Sequence, residues 1–182
     1  MFILASASPR RRELLSSLIS KFEVIPSSAD ETIEEEKPEQ LVMRLSARKA
    51  EEVYSRYPDA TVLGADTVVV LGGVVLGKPK SEEHAKEMLR ALAGKEHSVY
   101  TGVCVIRGGV ETVAYDETKV RISALTEEQI DAYVATGSPM DKAGAYGIQD
   151  EGIVFSYEGS YSNVVGLPLE LIKDFPEVIF HE

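Results

Sequence analysis

Residues 60–71, ATVLGADTVVVL, form an apolar, β-branched-rich run long enough to cross a sheet. It is too uninterrupted for a half-exposed strand and predicts one buried on both faces. Asp66 and Thr67 sit in its middle and do not suit a sheet core. Aspartate is depleted in strands, and a buried carboxylate must be paired, metal-bound or protonated. Two readings follow from this stretch. Asp66 marks a strand end or caps a turn, or it is a carboxylate held on a rigid strand at the floor of a cleft.

The flanking patterns predict the remaining elements. Residues 2–5 form a short strand, and Ser8-Pro9 is a helix start, with Ser as N-cap and Pro in the first turn. Arg10, Arg11 and Arg12 follow at the positive end of that helix, where acids are favoured. They suit either a bound anion, which helix N–H groups would also hold, or a solvated basic turn. Residues 22–26 form a second strand. Residues 27–37 are acidic and read as a solvated loop, from which one or two carboxylates can turn inward as metal ligands. Residues 38–57 have helical periodicity, with Leu45, Val42, Val53 and Ala50 on one face. Lys49 lies inside that face, where a lysine either snorkels or aims its ammonium into a phosphate site.

Gly72-Gly73 predicts a tight hairpin into residues 74–76, and Gly77-Lys78-Pro79 ends that strand. Ser81 caps a helix to about residue 93. Residues 99–106 and 110–122 are strands joined at Gly108-Gly109, and Thr126 with Gln129 forms a capping box for a helix to residue 135. Residues 137–149, GSPMDKAGAYGIQ, are a polar, glycine-rich loop of the kind that carries sites, with a short helical piece around 141–145. Residues 153–158 and 160–168 close the core, and 169–175 form a last helix. Early alternation of strands and helices with a late hairpin means α/β with a mixed sheet and flanking helices.

Length predicts one domain over residues 1–182, with room for two lobes. The short apolar patch at the N-terminus precedes its arginines, the reverse of a secretory signal. Cys104 is the one cysteine, so no internal disulfide forms. These features predict a cytoplasmic protein without a membrane partner. The net charge of −11 argues against nucleic acid as a partner. Any anion site must then concentrate positive charge locally.

The residues that break the pattern are Ser6, Ser8, Arg10, Arg11, Glu31, Lys49, Asp66, Lys78, Lys142 and Gln149. Several cations with a few isolated carboxylates suit a polyphosphate and a divalent ion, because Arg and Lys hold phosphate oxygens and carboxylates hold Mg²⁺ or Mn²⁺. No Walker lysine loop, GxGxxG or HExxH is present, and His84, His97 and His181 do not cluster at ligand spacing. Residues and spacing together reach a metal-dependent enzyme acting on a phosphorylated substrate.

LASASPRRRELL at the start, ADE at residues 29–31, SARKA around Lys49, GADTVV at Asp66, LGKP at Lys78, HSVYTGV after residue 96, DKAGAYGIQ and SYSNVVGLP resemble the Maf family of nucleoside triphosphate pyrophosphatases, first linked to septum formation. The likeness runs in order over nearly the whole chain. It implies metal-assisted hydrolysis of a nucleoside triphosphate to the monophosphate and pyrophosphate. It also implies a fold similar to the Ham1-type inosine triphosphatases, two-lobed with a central cleft, and a homodimer. Asp66 matches the family's proton acceptor, and Arg10, Thr67 and Gln149 match positions tied to substrate selectivity. Ser6, Arg11, Glu31, Lys49 and Lys78 match further active-site positions. Ser8 and Lys142 join them as substrate-binding candidates, and Glu31 with Asp66 are the expected metal ligands.

DKAGAYGIQ resembles the branch acting on dTTP and UTP. The branch acting on 7-methyl-GTP has a DCAGSFK-like stretch, where this chain has Lys142 and Tyr146 to Gln149. Asp150-Glu151 departs from the glycine more usual beside Gln149 and adds negative charge there. The alternatives are the 7-methyl-GTP activity and a non-catalytic, nucleotide-sensing regulator of septum formation.

Overall fold

The central apolar run is strand β3 (Thr61–Leu71), with residues 62–66 buried. In the computed structural model, residues 1–178 are described; His181 lies outside them. β1 (Phe2–Leu4) pairs in parallel with β2 (Glu23–Val24) and with β3, and β4 (Val74–Leu76) pairs antiparallel with residues 69–71 of β3. β5 (Glu96–Arg107) and β6 (Val110–Ile122) follow, and β6 pairs antiparallel with β7 (Val154–Glu158). The strands form a mixed seven-stranded sheet of order β2-β1-β3-β5-β6-β7, with β4 on β3. Both residues of the Gly72-Gly73 turn have positive φ, 57° and 80°, which suits a two-residue hairpin.

The chain divides into two compact units. The first comprises Met1–Thr67, Thr101–Asp116 and the chain from Gly166 onward, and the second comprises Val68–Tyr100 and Glu117–Val165. β3, β5 and β6 each run from one unit into the other.

In the first unit, helix α1 (Pro9–Ser16) is capped by Ser8, as its sequence predicts. Helix α2 (Pro38–Arg56) buries Leu41, Val42, Leu45, Ala50 and Val53. It lies close on the sheet because two strand positions have no side chain. A Cβ on Gly64 would stand 2.4 Å from the Ser46 carbonyl oxygen, and one on Gly102 would stand 2.1 Å from that of Val42. Helix α6 (Leu169–Lys173) seals a core around Leu4, Leu15, Leu63, Val103 and Leu167.

In the second unit, α3 (Glu82–Leu92) and α4 (Glu127–Ala135) pack around Met88, Leu89, Leu92, Val120 and Ile130. The Thr126–Gln129 capping box is formed. Residues 137–149 hold two single 3₁₀ turns, Ser138–Asp141 and Ala143–Ala145, with Lys142 extended between them.

Two expectations change. The predicted strand at 22–26 shortens to two residues, because it is a sheet edge paired with β1 alone and Pro26 has no N–H to extend the ladder. β5 begins at Glu96, three residues earlier than predicted. Residues 160–168 hold a short helix, α5 (Tyr161–Val165). Among the described residues no helix is long and apolar enough to cross a membrane.

Candidate functional site

Close packing of α2 brings a lysine to the aspartate of β3. Lys49 Nζ lies 2.7 Å from Asp66 Oδ1 and 2.5 Å from Glu31 Oε1. Lys49 and Asp66 are buried, at 8% and 9% exposure, so the carboxylate that does not suit its strand is paired inside the protein. Glu31 is exposed and comes from the acidic loop. That loop is held to α2 by Arg44, whose Nε donates to Glu36 at 2.7 Å and whose Nη2 donates to the Thr32 carbonyl at 3.3 Å. Asp30 accepts from the Thr32 backbone and hydroxyl, which draw its carboxyl below the usual range.

Beside this pair stands Arg11, in the first turn of α1. Its guanidinium donates to the Gly166 carbonyl at 2.7 Å, to Thr67 Oγ1 at 3.0 Å and to Ser6 Oγ at 3.3 Å. Thr67 Oγ1 in turn meets Thr101 Oγ1 at 2.8 Å. Burial pulls the Arg11 guanidinium down from its ordinary value, Asp66 and Glu31 push it back up, and Arg10 lowers it. These groups therefore share one electrostatic neighbourhood. Ser8 caps α1 by accepting from the Arg11 backbone, and its own N–H donates to Ser6 Oγ at 3.2 Å.

The first unit thus gathers Ser6, Ser8, Arg10, Arg11, Glu31, Lys49, Asp66 and Thr67. Three cations face two carboxylates here, a local positive balance inside a chain of net charge −11. Charge-assisted, partly buried donors of this kind suit phosphate oxygens. Lys49 shows that the space between Glu31 and Asp66 is a place for a cation. Two hard carboxylate donors also fit a small divalent ion, since Mg²⁺ uses one or two carboxylates and completes its shell with water and substrate phosphate. No cluster of three or more His, Cys, Asp and Glu side chains suited to a metal occurs among the described residues.

The other predicted residues belong to the second unit. Lys78 is exposed after β4, while Lys142 and Gln149 lie in the loop at 137–150. Thr101, Gly166 and Arg44 are not among the residues that break the sequence pattern. Thr101 opens the buried stretch 101–106 of β5, but Ser98 and Tyr100 on the same strand carry hydroxyls too, so its side chain gives only a weak signal; the Gly166 carbonyl carries no side-chain signal at all.

A family model described as Maf-like protein matches residues 1–176. The chain belongs to the Maf family. A relative from Thermococcus kodakarensis named dTTP/UTP pyrophosphatase is 51% identical, covering 99% of this chain and 97% of its own length. A relative of the same name from Symbiobacterium thermophilum is 52% identical over 98% of this chain and 95% of its own. Among solved structures, the Staphylococcus aureus Ham1 protein superposes with a TM-score of 0.55 at 14% identity, covering 94% of this chain and 95% of that one. The Maf chain therefore has the Ham1 fold that the family resemblance implies.

Proposed function

We propose that this Maf protein hydrolyses dTTP and UTP to the monophosphate and pyrophosphate. The substrate pair comes from the names of relatives about half identical over nearly their whole length. The observation that carries the chemistry is Lys49, placed between Asp66 and Glu31 next to Arg11.

Arg10, Arg11 and Lys49 bind phosphate oxygens, and the hydrogen bonds of Arg11 to Gly166, Thr67 and Ser6 hold its guanidinium ready. Asp66, fixed on a strand and paired with Lys49 through Oδ1, orients a water and takes its proton. The water oxygen bonds to the α-phosphorus, the bond from that phosphorus to the bridging oxygen breaks, and pyrophosphate leaves. Glu31 and Asp66 would hold Mg²⁺ or Mn²⁺, which offsets charge on the phosphates and supports ionisation of water when bound. Thr67 and Gln149 select the base, Ser6 and Ser8 support the phosphate end, and Lys78 adds charge toward the triphosphate. A homodimeric state and these roles, apart from that of Ser8, rest on the family resemblance, and a cytoplasmic location rests on the N-terminal pattern and the single cysteine.

A panel of dTTP, UTP, CTP, 7-methyl-GTP and ITP with Mg²⁺ or Mn²⁺ tests the reading by pyrophosphate release. Fastest turnover of dTTP and UTP is expected. Preference for 7-methyl-GTP, or UTP binding without metal-dependent UMP release, would overturn it in favour of another branch or a regulator.

A further inference from the structure

The loop at 137–150 is locked by a hydrogen-bond network that includes a tyrosine from α4. The Tyr133 hydroxyl donates to Asp150 Oδ2 and accepts from the Gly147 backbone N–H at 3.0 Å. Ser138 Oγ donates to the same Asp150 oxygen at 2.7 Å. Lys142 Nζ donates to the Ser138 carbonyl at 2.5 Å, to Ser138 Oγ at 3.1 Å and to Asp141 Oδ1 at 3.2 Å. An ammonium has three donors, and here each has an acceptor inside the loop. The Lys142 side chain is only 11% exposed. Burial and Asp150 together push the Tyr133 hydroxyl up, so it remains a neutral donor.

These contacts converge beside Gln149. A Cβ on Gly147 would stand 3.0 Å from Asp150 Oδ2, from Gln149 Oε1 and from Lys142 Cε. The three side chains therefore crowd around one backbone position, where an added methyl group would have to push them aside. Asp150, which at sequence level only adds negative charge near Gln149, has its carboxylate engaged by two hydroxyls.

We propose that Tyr133, Ser138, Asp150 and Lys142 are positioning residues for base selection: they fix the loop so that Gln149 is presented in one orientation, and Lys142 serves the loop in place of the triphosphate. This rests on the proposed base-selecting role of Gln149. A side chain held in one orientation discriminates because the wrong base leaves its polar groups unpaired. The neutral reader amide keeps its shape while the charges of Lys142 and Asp150 are used up beside it.

The test compares kcat and KM for UTP and GTP in the full chain and in Gln149→Ala, Tyr133→Phe, Asp150→Asn and Lys142→Met. The inference predicts that the last three lower the UTP-over-GTP ratio of kcat/KM by about tenfold, the scale of one lost charge-assisted hydrogen bond. The change falls on KM for UTP, with kcat nearly constant. Tyr133→Phe and Asp150→Asn combined cost less than the sum of the two single variants, since both remove the hydrogen bond they share. Ser138→Ala removes one hydroxyl from the same network and keeps the test open if Tyr133→Phe fails to fold. If Gln149→Ala shifts the ratio and the network variants do not, this inference fails while the proposed function stands. If Gln149→Ala leaves the ratio unchanged, the base-selecting role fails and this inference with it. An equal rise in KM for UTP and GTP in Lys142→Met would place Lys142 on the triphosphate and overturn its assignment to the loop.

Discussion

Lys49 and Asp66 hold each other in place inside the protein, at 2.7 Å, and this explains how an aspartate is tolerated in a buried strand. Breaking such a pair from one side leaves an uncompensated charge, whereas Asp66→Asn keeps the shape and a hydrogen-bond partner for the ammonium. Asp66→Asn should therefore fold, and its turnover of UTP should fall by at least about a hundredfold, the scale of a lost general base. Steady-state kinetics on a variant with an unchanged far-ultraviolet spectrum checks this, and near-normal turnover would remove Asp66 from the chemistry. Much of this residue-scale picture was legible beforehand. Arg11 followed from a capped helix start with arginines where acids belong, and Asp66 from its misfit in β3. Thr101 and Gly166 were not, because they meet Thr67 and Arg11 across 34 and 155 residues of chain. Spacing along a sequence does not encode such meetings.

At the scale of elements, the decisive feature is how near α2 lies to β3 and β5. Helical periodicity put Lys49 on the inward face but could not give the distance from that face to the sheet. Gly64 and Gly102 set it, and in the sequence they look only like weak points in two strands. Gly102→Ala would press a methyl group into the α2 backbone, which cannot give way as a flexible side chain can. It should cost about 3 kcal/mol, lowering Tm by about 6–12 °C for a domain of this size. Thermal melting checks the first effect, and weaker UTP affinity in the folded fraction checks displacement of Lys49. An unchanged Tm would mean that α2 does not rest on Gly102. The same limit explains the loop at 137–150: its polar, glycine-rich composition marks it as a site, but nothing in the sequence ties it to Tyr133 of α4. That its hydroxyl holds the loop depends on tertiary placement.

For the whole molecule, stability should depend on pH through a residue outside the proposed chemistry. His97 is buried at 4% exposure with its Nε2 against the Tyr146 hydroxyl at 2.6 Å. Burial lowers its pKa from 6.5 to about 4. The unfolded chain thus binds more protons between these values, and stability from neutral His97 is lost as pH falls from 6.5 to about 4. At about 1.4 kcal/mol per pH unit the loss approaches about 3 kcal/mol. Urea midpoints across this range should fall more steeply for the natural chain than for His97→Gln, and equal slopes would contradict the assignment.

The molecule as a whole carries a charge of −11 yet collects three cations around two carboxylates. We propose that this cluster brings water to the α-phosphorus of an anionic nucleotide. Hydrolysis of UTP in ¹⁸O-labelled water with Mg²⁺, read by mass spectrometry of the products, tests it most directly. The label should appear in UMP, with unlabelled pyrophosphate as the other product. Label in the pyrophosphate, or release of orthophosphate, would contradict it.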